Sequence, residues 1–174
     1  MSDIEINSKF NEALQLLNEG MNVFITGKAG TGKSTLLKYF RENTDKNIVT
    51  LAPTGVAAVN IEGETIHSFF KFKPGVTPQE AKKQGHKISE NRLKLLKALD
   101  AIVIDEISMV RADLLDSVDL FLKSALKSRL AFGGKQVVFF GDLYQLPPVT
   151  KYDESKALES VYETPYFFSA QVIK

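Results

Sequence analysis

The chain has 174 residues, 44% hydrophobic and 25% charged, the balance of one folded domain rather than of a disordered or fibrous chain. It contains no cysteine, which excludes a disulfide framework, a thiolate metal site and a cysteine nucleophile. Its 22 basic and 21 acidic residues leave a formal charge of +1, which argues against DNA binding driven by bulk charge; no apolar run reaches the ~18 residues of a membrane span.

The N-terminus, Met1 to Glu5, is acidic and has no signal-peptide pattern, so the expected location is the cytoplasm. Ser8 to Leu17 carries an apolar stripe at Phe10, Ala13, Leu14 and Leu17, which predicts a helix stopped at Gly20. Asn22 to Thr26 is a nearly continuous apolar run, as in a strand covered on both faces. A glycine-rich turn follows, then a predicted helix from Ser34 to Arg41. Ile48 to Leu51 reads as a second strand, Ala101 to Ile104 as a third, Gln136 to Phe140 as a fourth and Pro165 to Phe168 as a fifth. Ala112 to Leu126 predicts a long amphipathic helix. Strands alternating with helices imply crossover units and a mainly parallel sheet. The segment from Lys71 to Glu90, with Pro74, Gly75, Pro78, Gly85 and several lysines, reads as an exposed, flexible loop within the domain.

Gly27-Lys28-Ala29-Gly30-Thr31-Gly32-Lys33-Ser34 fits the G-x-x-x-x-G-K-[ST] pattern in full, between a predicted strand and a predicted helix. Glycines let the backbone wrap around phosphate oxygens, and the amides of the turn, including Ala29 and Thr31, then point inward with the helix start behind them. Lys33 can place its ammonium between the β- and γ-phosphates, Ser34 offers a hydroxyl to Mg²⁺, and Thr35 can reach the α-phosphate. Asp105 and Glu106 directly follow the third strand, which puts both carboxylates at the carboxyl edge of a parallel sheet, beside that turn. Asp105 can hold Mg²⁺ through a water, and Glu106 can take a proton from an attacking water. Gln145 follows the fourth strand, which in such sheets lies between the first and third; its amide can orient a water or contact a γ-phosphate.

These residues, in this order, resemble the first motor domain of superfamily-one helicases of the 5′-to-3′ branch, most closely the PIF-one family, related to RecD. The stretches that carry the resemblance are FITGKAGTGKST, LAPTGVAAVNIEGETIHSFF, IVIDEISMVRADLLDSVD, FGGKQVVFFGDLYQLPPV and the terminal YFFSA. They span nearly the whole chain, from Asn22 to Ala170. The resemblance implies a RecA-like P-loop NTPase fold, a three-layer α/β sandwich around a mainly parallel five-stranded sheet. It implies ATP and Mg²⁺ as cofactors and single-stranded DNA as partner, contacted by Thr54, Gly55, Thr65, His67 and Ser68. It also implies a second motor domain in the same chain, so that residues 1–174 are the first motor domain of a longer helicase. Hydroxyls, a glycine amide and an imidazole contact phosphate without reading sequence. Phe69, Phe70 and Phe72 stay open between a base-stacking platform and ordinary core. One departure stands out: where the family carries a glutamine that reads the adenine edge, this chain has Phe10 and Asn11. Beside the motor domain stand two other readings, a stand-alone P-loop NTPase switch and a nucleic-acid-binding module with a vestigial nucleotide site. ATPase activity with and without single-stranded DNA separates the three.

Overall fold

The computed structural model describes residues 8–142 and 171–173. Among these residues six strands form one sheet: β1 (Val23–Thr26), β2 (Ile48–Ala52), β3 (Glu64–Thr65), β4 (Ala101–Ile104), β5 (Gln136–Gly141) and β6 (Gln171–Ile173). Their order is β3-β2-β4-β5-β1-β6, and every pairing is parallel. The expected sandwich around a mainly parallel sheet is therefore present, with five strands plus the two-residue β3. Of the five predicted strands, four lie where expected, and β5 sits between β1 and β4 as expected. The strand expected at Pro165–Phe168 lies outside the described residues.

Side chains alternate across the strands, and the two faces bury separate cores. Val23 and Ile25 of β1, with Val138 and Phe140 of β5, pack on one side against Leu17 of α1 (Ser8–Asn18), Leu36, Leu37 and Phe40 of α2 (Lys33–Asn43) and Ala58 of α3 (Gly55–Asn60). Phe24, Ile102, Ile104 and Phe139 point to the other side. There they meet α4 (Ile66–Phe70), Leu96 of α6 (Glu90–Ala98), and Leu115, Val118, Phe121 and Leu122 of α7 (Ala112–Leu126). This doubly covered arrangement is why the strands read as unbroken apolar runs.

The segment from Lys71 to Glu90 is not a loop throughout. It contains α5 (Pro78–His86), packed on α7. Two things form it. Thr77 and Glu80 make a reciprocal capping box, and Pro78 occupies the first turn, where its missing N–H costs nothing. The buried face consists of Pro78, Ala81 and Gly85, small enough to bring two backbones together. A methyl group on Gly85 would sit 2.5 Å from the Phe121 carbonyl oxygen. Close contact replaces bulk, so few large apolar residues are needed.

Beneath the sheet, Lys46 and Gln136 fix the end of α1. Both side chains donate to the Leu17 carbonyl, Gln136 Nε2 at 3.0 Å and also to the Met21 carbonyl at 2.7 Å, while Lys46 Nζ donates to Gln136 Oε1 at 2.9 Å. A buried glutamine is acceptable here because its amide is satisfied on both sides.

Candidate nucleotide site

All parallel strands end at one edge, and β1, β2 and β4 each release a segment with expected site residues there. The turn after β1 closes on itself. Gly30 and Gly32 adopt φ of +79° and +90°, a region that disfavours a side chain. Thr31 Oγ1 donates to the Lys28 carbonyl at 2.8 Å. Lys33 Nζ donates to the Gly27 carbonyl at 2.6 Å and the Lys28 carbonyl at 3.0 Å, which curls the ammonium over the turn. α2 then starts at Lys33 with no side-chain cap and no acidic residue in its first turn. Its leading N–H groups thus carry the positive end of the helix dipole unneutralised, an arrangement suited to an anion. Ala29, Thr31, Ser34 and Thr35 are exposed around this point.

β4 delivers Asp105 and Glu106 to the same edge. The Asp105 amide donates to the Leu51 carbonyl at 2.9 Å, extending the β2–β4 pairing by one residue. Burial pushes the Asp105 carboxyl above the ordinary aspartate range, and the neighbouring Glu106 charge pushes it the same way. The Glu106 amide and the Lys33 ammonium pull it back, which places Lys33 and Asp105 within electrostatic reach of each other. Glu106 itself is half-buried and left-handed, with φ of +51°. Backbone conformations of this kind in non-glycine residues concentrate at functional sites. The short 3₁₀ turn Ile107–Met109 follows and lies against Gly141 at the end of β5. Gln145 lies outside the described residues.

Between α1 and the turn is a cleft of about 230 Å³ whose wall includes Lys9, Phe10, Ala13, Ile25 and Leu36. Phe10 packs edge-on to Tyr39, ring centroids 5.5 Å apart. Asn11 is exposed and not part of the wall. The helical stripe alone marks Phe10 only as an apolar position; its place in the cleft comes from where α1 crosses β1.

The second group of expected residues sits at the ends of β2 and β3. Thr54 caps α3, accepting from the Ala57 amide at 3.2 Å, and Thr65 caps α4, accepting from the Ser68 amide at 3.1 Å. Each hydroxyl keeps its own proton to donate. Ser68 Oγ donates to Glu64 at 3.2 Å. Gly55 is exposed and His67 half-buried. Phe69, Phe70 and Phe72 are core: all three are buried, and Phe70 stacks on Phe72 at 5.3 Å while both meet the Phe121 edge. They cannot stack on a base without dismantling that cluster.

The family model described as PIF1-like helicase matches residues 5–168. Among curated proteins, the ATP-dependent DNA helicase PIF1 of Saccharomyces cerevisiae is 40% identical over 169 residues, covering 90% of this chain and 19% of its own. The ATP-dependent DNA helicase Pif1 of Bdellovibrio bacteriovorus is 40% identical over 151 residues, covering 85% of this chain and 34% of its own. Among solved structures, a Bacteroides Pif1 bound to single-stranded DNA superposes with a TM-score of 0.82 at 46% identity, over 92% of this chain and 37% of that one. A Bacteroides Pif1 in complex with ADP-AlF4 does so with a TM-score of 0.83 at 42% identity, over 97% of this chain and 39% of that one. The chain thus spans about a fifth to two-fifths of the length of these four proteins. With the phosphate turn, the acidic strand end and the sheet order all in place, the chain belongs to the PIF1-like helicase family.

Proposed function

We propose that residues 1–174 are the ATP-binding and ATP-hydrolysing first motor domain of a longer DNA helicase. In the full-length protein, hydrolysis drives 5′-to-3′ translocation on single-stranded DNA and duplex unwinding. One observation carries this reading: the turn from Gly27 to Ser34, the Lys33 ammonium and the Asp105–Glu106 pair converge on one sheet edge, in a chain of this family. The relatives' names and the ligands in the Bacteroides structures support it.

The residues suit Mg²⁺-nucleotide. Among the described residues no group of three or more acidic or histidine side chains gathers as a protein-only metal cage. Mg²⁺ does not need one, since it commonly takes one or two protein oxygens together with phosphates. Ser34 and Asp105 are the candidates to hold it, Asp105 through a water, where the ion would neutralise phosphate charge. Lys33 leaves the Gly27 and Lys28 carbonyls and donates to the β- and γ-phosphate oxygens. The amides of Ala29 to Ser34 donate to phosphate, Thr35 reaches the α-phosphate, and Phe10 flanks the base. Glu106 takes the proton of the attacking water, and Gln145 orients that water. Thr54, Gly55, Thr65, His67 and Ser68 hold the phosphates of single-stranded DNA by hydrogen bonds that ignore sequence. The second motor domain completes the nucleotide cleft and supplies the arginine finger, a residue worth ~10³ to 10⁵ in rate.

Two measurements test this. Calorimetry should show Mg²⁺-ADP binding that Lys33→Ala weakens strongly; equal affinity would refute the nucleotide site. The full-length parent should unwind duplexes with a 5′ single-stranded tail, and unwinding only from a 3′ tail would refute the assigned polarity.

A further inference from the structure

The C-terminal halves of α5 and α7 border an open hollow of about 450 Å³ lined by Lys82, His86, Leu120, Lys123, Lys127 and Arg129, with two serines. It lies away from the nucleotide edge. α7 begins just after β4 and runs back for 15 residues, roughly 22 Å. Its last turn is therefore at the opposite, amino edge of the sheet. Ser124 Oγ donates to the Lys82 carbonyl at 2.8 Å and holds the two helices together at this point. Of the cations, Lys123 is committed to the buried Asp119 at 2.8 Å. Lys82, His86, Lys127 and Arg129 are exposed, and among the described residues their side chains have no ion pair or hydrogen bond. Among the described residues, no acidic one lines the hollow. In a chain of net charge +1, this is a local concentration rather than general basicity.

The chemistry is mixed. Half-buried Leu120 offers apolar surface, and the aliphatic stems of the lysines add to it. The volume falls in the ~300–1,000 Å³ range of pockets that seat small ligands or single side chains. A nucleic-acid backbone would satisfy the cations and leave this apolar surface unmatched. The residues proposed to hold DNA also lie at the other edge. We propose that the hollow is a docking site for a short acidic peptide segment of a partner protein, one that carries a large apolar side chain among its carboxylates. The carboxylates meet Lys82, Lys127 and Arg129, and the apolar side chain sits on Leu120. Exposed ion pairs contribute little singly, so the affinity rests on the apolar anchor together with several cations, and reversing two of them turns attraction into repulsion.

The test is fluorescence anisotropy with a labelled peptide of repeated aspartates around one phenylalanine, against the 174-residue chain. The double variant Lys127→Glu/Arg129→Glu should bind it at least about tenfold more weakly, and Lys82→Glu should show a smaller loss. Both should retain the parent's Mg²⁺-ADP affinity, which shows that they are folded. A peptide with serine in place of the phenylalanine should also bind weakly. The proposal is overturned if the double variant binds the peptide as the parent does, or if the serine peptide binds equally well. It is also overturned if the double variant loses oligothymidine binding in the same proportion as peptide binding, because the hollow would then be a nucleic-acid contact.

Discussion

Gly141 lies so close to Ile107 that a methyl group on it would sit 2.9 Å from Ile107 Cγ2 and 3.2 Å from the Ile107 amide nitrogen. The end of β5 is thus the floor on which the turn after Glu106 rests. Gly141→Ala should push that turn and displace the Glu106 carboxylate. Misplacing a catalytic group by about 1 Å can cost ~10²-fold, so kcat for DNA-stimulated ATP hydrolysis by the full-length parent should fall roughly ten- to hundred-fold. Nucleotide affinity should change less, since the expected clash is with Ile107, while Gly141 meets β1 only through its ladder pairing with Thr26. An unchanged kcat would show that the turn yields without moving Glu106.

Glu106, the proposed general base, has an unfavourable backbone conformation. Glu106→Gln should keep nucleotide binding and lose about 10²-fold or more in turnover, because an amide cannot take the proton. Glu106→Gly should lose turnover as well, yet melt no lower than the parent. Left-handed backbone costs an L-residue roughly 1–2 kcal/mol, which glycine does not incur. Thermal melts of the two variants check this. A drop of several degrees in Glu106→Gly would mean that the side chain itself supports the fold.

Gly85→Val should separate α5 from α7, since the added atoms would meet the Phe121 carbonyl and Ser124 Cβ. A loss of roughly 1–3 kcal/mol is expected from overpacking of this kind. In the parent, α5 should shield Lys82 and Lys83 from trypsin. In the variant, cleavage there should become early. Rapid cutting at both lysines in the parent would argue that α5 does not stay docked.

Asp116 on α7 has its carboxyl pushed above the ordinary aspartate range, first by burial, then by the charges of Asp119 and Asp113, with Lys123 opposing. A raised acid pKa means that the folded state binds the proton more tightly than the unfolded chain. Stability therefore falls as pH rises from the ordinary value of 3.8 through the raised one, and the full penalty applies above it. Asp116→Asn should melt above the parent at neutral pH. That advantage should shrink as pH is lowered through the raised value. Melting curves across this range decide the matter, and an advantage that grows on acidification would contradict the sign.

The elements around the site were the most legible in sequence. β4 is four apolar residues ended by Asp105-Glu106, and the phosphate turn announces itself through its glycines and Lys33. α7 spans the residues its periodicity predicts, because its stripe packs on a large core. α5 was hidden for the opposite reason. Its contact surface is Pro78, Ala81 and Gly85, which carry little hydrophobic signal although Thr77-Pro78-Gln79-Glu80 spells a helix start. Phe69, Phe70 and Phe72 were ambiguous because core and base-stacking surfaces use the same residue; only the meeting with Phe121, far away in sequence, decides between them. The left-handed Glu106 and the close approach of Gly141 are products of tertiary packing that local sequence does not encode.

The clamp on Leu17 ties the end of α1 to the start of β5 and, through the rigid helix, to the cleft. Lys46 and Gln136 grip the Leu17 carbonyl at one end of the helix, and Phe10 stands in the cleft wall toward the other, about 10 Å away at 1.5 Å per residue. Ala13, between the two ends, is fully buried in the core, so the helix is held as one piece and the clamp helps set where Phe10 stands. Lys46 makes no hydrogen bond to the turn from Gly27 to Ser34 among the described residues, yet releasing its grip on Leu17 should shift Phe10 and alter the width of the cleft.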